Sequence, residues 1–167
     1  MQLRCMNPVR EDYDKIRAFY NQHGGDLLRT GDLPELDQNS MNRVFDHGAI
    51  KAIDPEGSVR YYAGMTTIVL ITTDEDDWDI IASGMIACRQ TLRRYVGTIE
   101  YVLVRSDWRG RGMGKYLMGV LLKDAESIKV DRLELTSEPA REAARALYKR
   151  MGFKLVEGSD RHFVLDL

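Results

Sequence analysis

The chain has 167 residues, long enough to bury a full core, and is expected to be one domain spanning 1–167. Its 24 Lys and Arg against 26 Asp and Glu leave a net charge of −2, which supplies no general drive toward nucleic acid or an anionic membrane. No run of about 18 apolar residues occurs and "MQLRCMNPVRED" has no apolar signal core, so a soluble, cytoplasmic protein is expected.

In chain order, "LRCM" reads as a short strand stopped at Asn7-Pro8. Tyr13, Ile16, Phe19 and Tyr20 recur at helical spacing until His23-Gly24-Gly25 breaks the helix. "LRTGDLPELDQ" reads as loop. A second helix, about 38–46, is expected to bury Met41, Val44 and Phe45 and to end at Gly48. "IDPEGS" is a tight turn. "YYAGMTTIVLITT" and "IIASGMIACRQTL" are β-branched, apolar runs that read as an antiparallel hairpin, with "DEDDWD" as its acidic tip. "GTIEYVLV" is the next strand and its expected sheet neighbour.

Met113, Leu117, Val120, Leu121, Ala125 and Ile128 then describe one face of a helix. "DRLELTS" is a strand, and "EPAREAARALYKRMGF" a helix with Pro139 in its first turn and Gly152 as its stop. "FKLVEG" and "RHFVLDL" close the chain as a strand pair. The order β-α-α-β-β-β-α-β-α-β-β defines an α/β domain with a mixed sheet. Cys5 and Cys88 match no CxxC pair or metal spacing, and Cys88 reads as a buried thiol. The three histidines are scattered, so no metal site is expected.

The unusual stretch is "YVLVRSDWRGRGMGKYLM", whose seven residues Arg109 to Lys115 put three glycines and three cations between a strand and a helix. A dinucleotide G-x-G-x-x-G fails because its third glycine falls on Lys115, and a P-loop fails because its first falls on Arg109. The pattern R/Q-x-x-G-x-G/A is met in full by Arg109-Gly110-Arg111-Gly112-Met113-Gly114. Residues without Cβ let successive N–H groups turn inward, and the helix adds its positive N-terminal end. The segment therefore reads as a pyrophosphate cradle, with Lys115 as further counter-charge; the plain alternative is a Gly-rich turn with solvated cations.

The order of elements with this motif, followed downstream by "AREAARALYKRMGF", resembles the GNAT acetyltransferase superfamily. The resemblance implies a mixed, mostly antiparallel sheet flanked by helices, and acetyl-CoA as cosubstrate without a metal. It implies that an amine attacks the thioester directly, that the backbone of Leu103 and Val104 holds the pantetheine arm, and that Arg109, Gly110, Arg111, Gly112, Met113, Gly114 and Lys115 hold the pyrophosphate. Tyr148 falls on the family's acid position, against the alternative of a packed aromatic. Arg141 stands where many relatives carry Asn, so that side-chain contact is not implied here.

Glu100 is the odd carboxylate of its strand and is expected to share a face with Val102 and Val104. It either borders a water-filled cleft and acts as a base, or pairs with a cation structurally. The expected partner is a small-molecule or peptide amine, shaped by the loops near 24–35 and 158–161; a homodimer through the C-terminal strands stays open. A non-catalytic acyl-CoA-binding or regulatory domain on the same fold, and a nucleotide-binding protein, are the competing functions.

Overall fold

The computed structural model describes residues 3–28, 31–45, 51–53, 59–61, 66–73 and 77–167. The strands in chain order are β1 Leu3–Met6, β2 Lys51–Ile53, β3 Val59–Tyr61, β4 Thr66–Thr73, β5 Ile80–Gln90, β6 Tyr95–Val104, β7 Arg132–Thr136, β8 Lys154–Leu155 and β9 His162–Asp166. The helices are α1 Tyr13–His23, α2 Gln38–Phe45, α3 Met113–Ser127 and α4 Glu142–Arg150. Seven strands form one sheet in the order β1-β4-β5-β6-β7-β9-β8, and β2 pairs with β3 separately. The pairings are antiparallel except β6 with β7, the pair joined by α3.

Both faces of the sheet are covered. On one, Val69, Ile71, Ile86 and Ile99 pack with Leu117, Met118 and Leu121 of α3 and Tyr148 of α4. On the other, Leu70, Ile80 and Leu103 pack with Ile16, Phe19 and Tyr20 of α1. This two-sided burial is why β4 and β5 read as nearly continuous apolar runs instead of alternating ones. Each fully buried Val, Leu, Ile, Phe or Met contributes roughly 1.5–3 kcal/mol. Gly97 is required by the closeness of that packing, since a Cβ there would lie 2.9 Å from both Ile86 Cγ2 and Leu133 Cδ2.

Several local expectations change. Within the run "YYAGMTTIVLITT", Tyr61 belongs to β3, which pairs with β2, and Thr66–Thr73 form β4 of the main sheet; 62–65 lie outside the described residues. Met41, Val44 and Phe45 of α2 are half-buried, because α2 rests on the rim of the α1 layer, where the Phe45 ring meets Tyr13 edge-on at 6.2 Å. Tyr13 is likewise half-buried, and its hydroxyl donates to Pro34 O at 2.8 Å. Pro139 lies in the turn before α4, a turn closed by Arg141 N–H on Glu138 O at 3.0 Å. Gly152 does stop α4, with φ of 95°. Gly48, the turn at 54–58 and the hairpin tip at 74–76 lie outside the described residues. Cys88 is buried and Cys5 exposed.

Candidate active site

The site begins where the parallel pair parts. β6 and β7 are in register only from Val96↔Arg132 to Thr98↔Glu134. Beyond that point the two strands diverge, and residues 99–102 of β6 and 135–138 after it line the two walls of a cleft of about 730 Å³. The opening lies at the carboxyl ends of parallel strands, the place where α/β sheets leave room for ligands.

The other side of β6 carries a bulge. Met85 faces Glu100 and Ser83 faces Leu103, so Gly84 alone opposes Tyr101 and Val102. Tyr101 has φ of 54°, the left-handed conformation that is a genuine outlier for a bulky residue. A one-residue insertion reverses which face each later side chain takes. Ile99 packs with α3 and α4, Val102 and Val104 pack against the same cluster, and Leu103 packs with α1. Glu100 therefore does not share a face with Val102 and Val104, contrary to strict alternation. It is exposed, lines the cleft, and forms no ion pair with a described residue, which removes the structural ion pair among them.

Tyr148 reaches the same cleft from α4. It is 7% exposed, its ring set edge-on against Phe153 and Phe163 at 6.2 and 6.3 Å. Burial pushes its pKa above 10, and the nearby Arg141 guanidinium pulls in the other direction. The phenol is thus protonated at neutral pH. Glu100 and Tyr148, distant in sequence, border one cavity.

Both loops expected to shape the cleft do line it, through Leu27, Leu28, Gly31–Pro34 on one side and Arg161 on the other. The 31–35 segment is strapped to α1: Leu33 N–H donates to Asn21 Oδ1 (2.7 Å), Arg17 Nε donates to Leu33 O (3.0 Å), and Arg17 pairs with Glu35 (3.1 Å). Arg145 holds the opposite wall by donating to Ser137 O at 2.9 Å and Asp160 O at 2.6 Å, with its guanidinium 5.1 Å from the Phe163 ring centre. These anchors carry no motif. The one sequence signal for that wall was the break at Ser137-Glu138-Pro139 directly after β7.

After β6, a 3₁₀ turn at Ser106–Trp108 leads into the glycine segment. Gly110 and Gly112 take φ of 75° and 82°, and Gly112 is the residue that precedes the first turn of α3. The first helical bond is Tyr116 N–H to Gly112 O at 3.0 Å, so the N–H groups of Met113, Gly114 and Lys115 have no partner within the helix. The three cations are placed differently. Arg109 Nε donates to Val104 O at 3.1 Å, Arg111 lies over the Trp108 ring at 5.2 Å, and Lys115 borders a shallow groove with Gly112 and Tyr116. Leu103 is buried and Val104 half-buried, the latter beside Gly114.

The two described carboxylates of the acidic tip are paired with cations from elsewhere in the chain. Asp77 pairs with Lys15 at 3.6 Å, and Asp79 with Arg105, which also grips Asp107. Trp78 packs with the α1 layer and carries Lys15 over its ring at 4.3 Å. Neither Trp78 nor Trp108 lines the cleft. Among the described residues, no group of His, Cys, Asp and Glu is placed to hold a metal ion, and no helix is long and apolar enough to cross a membrane.

A mixed seven-stranded sheet whose parallel pair parts beside a bulge, with a glycine turn opening the connecting helix, defines an acetyltransferase fold. The chain belongs to the Acetyltransferase (GNAT) family, whose model matches residues 37–153. Among solved structures it is similar to the GNAT domain of S. lividans PAT (TM-score 0.72, 15% identity, 99% of this chain and 90% of that one). It is also similar to ribosomal-protein-alanine N-acetyltransferase from Brucella melitensis biovar Abortus 2308 (0.66, 16%, 95% and 96%) and to glucosamine-6-phosphate N-acetyltransferase from Arabidopsis thaliana (0.64, 19%, 96% and 98%). No curated protein matches the sequence.

Proposed function

We propose that the protein transfers an acetyl group from acetyl-CoA to a primary amine by direct attack in a ternary complex. The observation that carries this reading is the shared cleft: Glu100 and Tyr148 border one opening, at the point where β6 and β7 part. The unpaired edge of β6 up to Val104 receives the pantetheine arm, and the N–H groups of 113–115 with Gly110 and Gly112 receive the pyrophosphate.

The chemistry has three needs. The amine must lose a proton, the carbonyl must be polarised, and the leaving sulfur must be protonated. A lysine-like amine of pKa about 10.4 is neutral at pH 7 roughly once in 2,500 molecules, a penalty near 4.6 kcal/mol, whereas an α-amine near 7.8 costs about 1 kcal/mol. Glu100, in the open cleft and without an ion-pair partner among the described residues, takes that proton, through water where the amine is not in contact. A backbone N–H on the open edge of β6 stabilises the carbonyl oxygen as negative charge develops.

The nitrogen lone pair forms the C–N bond, the C–S bond breaks with its electron pair leaving on sulfur, and the nitrogen, positive after attack, gives its second proton to water to leave the neutral amide. Tyr148 donates to that thiolate. With a thiol pKa near 8.5 and a phenol near 10, transfer is uphill by about 2 kcal/mol, and burial adds to this; the Tyr148 phenolate then recovers its proton from solvent.

A panel of amino acids, polyamines, aminoglycosides and peptide N-termini, read by release of free CoA thiol, tests the reading. Acetyl-CoA binding in calorimetry with no release on any acceptor would favour the non-catalytic acyl-CoA-binding domain instead.

A further inference from the structure

Tyr20 is an α1 residue with no place in the chemistry above, yet its hydroxyl lies at the bulge. The side chain is 4% exposed. Its oxygen is 2.5 Å from the Tyr101 carbonyl oxygen and 2.9 Å from Ser83 Oγ. A phenol has one proton and a carbonyl only accepts, so the proton goes to Tyr101 O and the Ser83 hydroxyl donates to the phenol oxygen. Ser83 itself is fully buried. The Tyr20 and Tyr101 rings also meet edge-on at 5.7 Å, nearly perpendicular at 79°. One side chain from outside the sheet thereby ties together β5, at Ser83, and β6, at the residue held in the left-handed conformation.

Such a conformation persists in a non-glycine residue only when its surroundings over-determine it. Along a strand, N–H and C=O groups alternate between the two neighbours, and an extra residue shifts that alternation by one. Whether the bulge stays at Tyr101 therefore decides which amide groups of 100–103 pair with β5 and which face the open edge of the cleft.

We propose that Tyr20 is a positioning residue for acetyl transfer: by holding the Tyr101 carbonyl it fixes the bulge, and with it the β6 amides that meet the thioester. This rests on the acetyl-transfer reading for its kinetic consequence and on geometry alone for the clamp.

The test compares Tyr20→Phe, which keeps the ring contact with Tyr101 but removes the proton on Tyr101 O, with Ser83→Ala, which removes the other bond and leaves that proton in place. Expected for Tyr20→Phe is a loss of about 10-fold to 100-fold in kcat on whichever amine the wild type acetylates, since misplacement by about 1 Å has that scale. Acetyl-CoA affinity should stay within about threefold, because the pyrophosphate cradle lies on another element. Ser83→Ala should keep kcat within about threefold, because the carbonyl clamp remains. Amide hydrogen exchange at 100–103 should accelerate in Tyr20→Phe beyond Ser83→Ala. Equal kcat in the two variants, or unchanged exchange at 100–103, overturns the proposal.

A wild type that acetylates no amine defeats the acetyl-transfer reading, and the exchange comparison then decides the clamp by itself. Should Tyr20→Phe not fold, the wild type supplies the measurement: NMR must show a slowly exchanging Tyr20 hydroxyl proton coupled to the Tyr101 carbonyl carbon, and its absence overturns the clamp.

Discussion

Replacing Gly112 separates the backbone demand of the cradle from its ligand demand. Gly112 has φ of 82° and ψ of −1°, and a Cβ built on it meets nothing within 4 Å. Gly112→Ala therefore has no steric clash, and its cost to the unliganded protein is the left-handed backbone alone, roughly 1–2 kcal/mol. For a chain of this size that is a Tm loss of about 2–8 °C. Gly158 is a matched control, with φ of 77°, equally open space, and a place in the β8–β9 loop away from α3. Gly158→Ala should lose a comparable Tm. The two should part in calorimetry: in the proposed cradle the new methyl of Gly112→Ala would occupy the space through which phosphate oxygens reach the N–H groups of 113–115. A tenfold loss of CoA affinity, about 1.4 kcal/mol, is expected there and none in Gly158→Ala. Gly112→Asp, which adds a negative charge, should lose more. Unchanged CoA affinity in folded Gly112→Ala and Gly112→Asp would show that the pyrophosphate lies elsewhere.

Tyr148→Phe should leave CoA binding intact and lower kcat by about 10²; full activity at neutral pH would reduce Tyr148 to its packing against Phe153 and Phe163. Since burial raises its pKa above 10, its proton-donating form persists through pH 10, so kcat should show no fall on its account below that pH. Glu100→Gln should move the rising limb of the pH–rate profile upward, with the deficit on a lysine-like amine shrinking as pH nears about 10. A loss constant with pH would instead assign Glu100 to positioning. Stability should decline in alkali. Burial pushes the Cys88 thiol from 9.0 up to about 11 and holds the Tyr20 and Tyr148 phenols above 10. The unfolded chain gives up these protons first, so the stabilisation is complete below pH 9 and is lost as pH rises toward the folded values. The slope approaches about 1.4 kcal/mol per pH unit for each group in its window. Cys88→Ala should flatten the Tm decline between pH 9 and 10, and an equal decline in that variant would exclude Cys88 as its source.

Local chemistry was enough for most of the elements, the short β2–β3 pair excepted, and for the glycine turn beside the candidate site. The conformation of the glycine turn was legible because its requirement is local: positive φ at Gly110 and Gly112, and amides at a helix start without a helical partner, all fall within a few consecutive residues. The core faces of α1 and α3 were legible for the same reason, since a 3.6-residue period is written in one segment. The family resemblance also lay in short motifs, and the family model spans both of them.

The rest depended on where separate segments meet. Strict alternation put Glu100 with Val102 and Val104, and it failed because Tyr101 is an extra residue opposite Gly84. Nothing in "TIEYVLV" marks it; the bulge is held by a hydroxyl 81 residues earlier in the chain. The opening of β6 from β7 after Thr98, the strap of 31–35 on α1 and the wall held by Arg145 are likewise decided by pairing and packing across the sheet. A sequence specifies the local preferences of each strand and helix, but a cleft is the space left between elements, and only their assembly determines it.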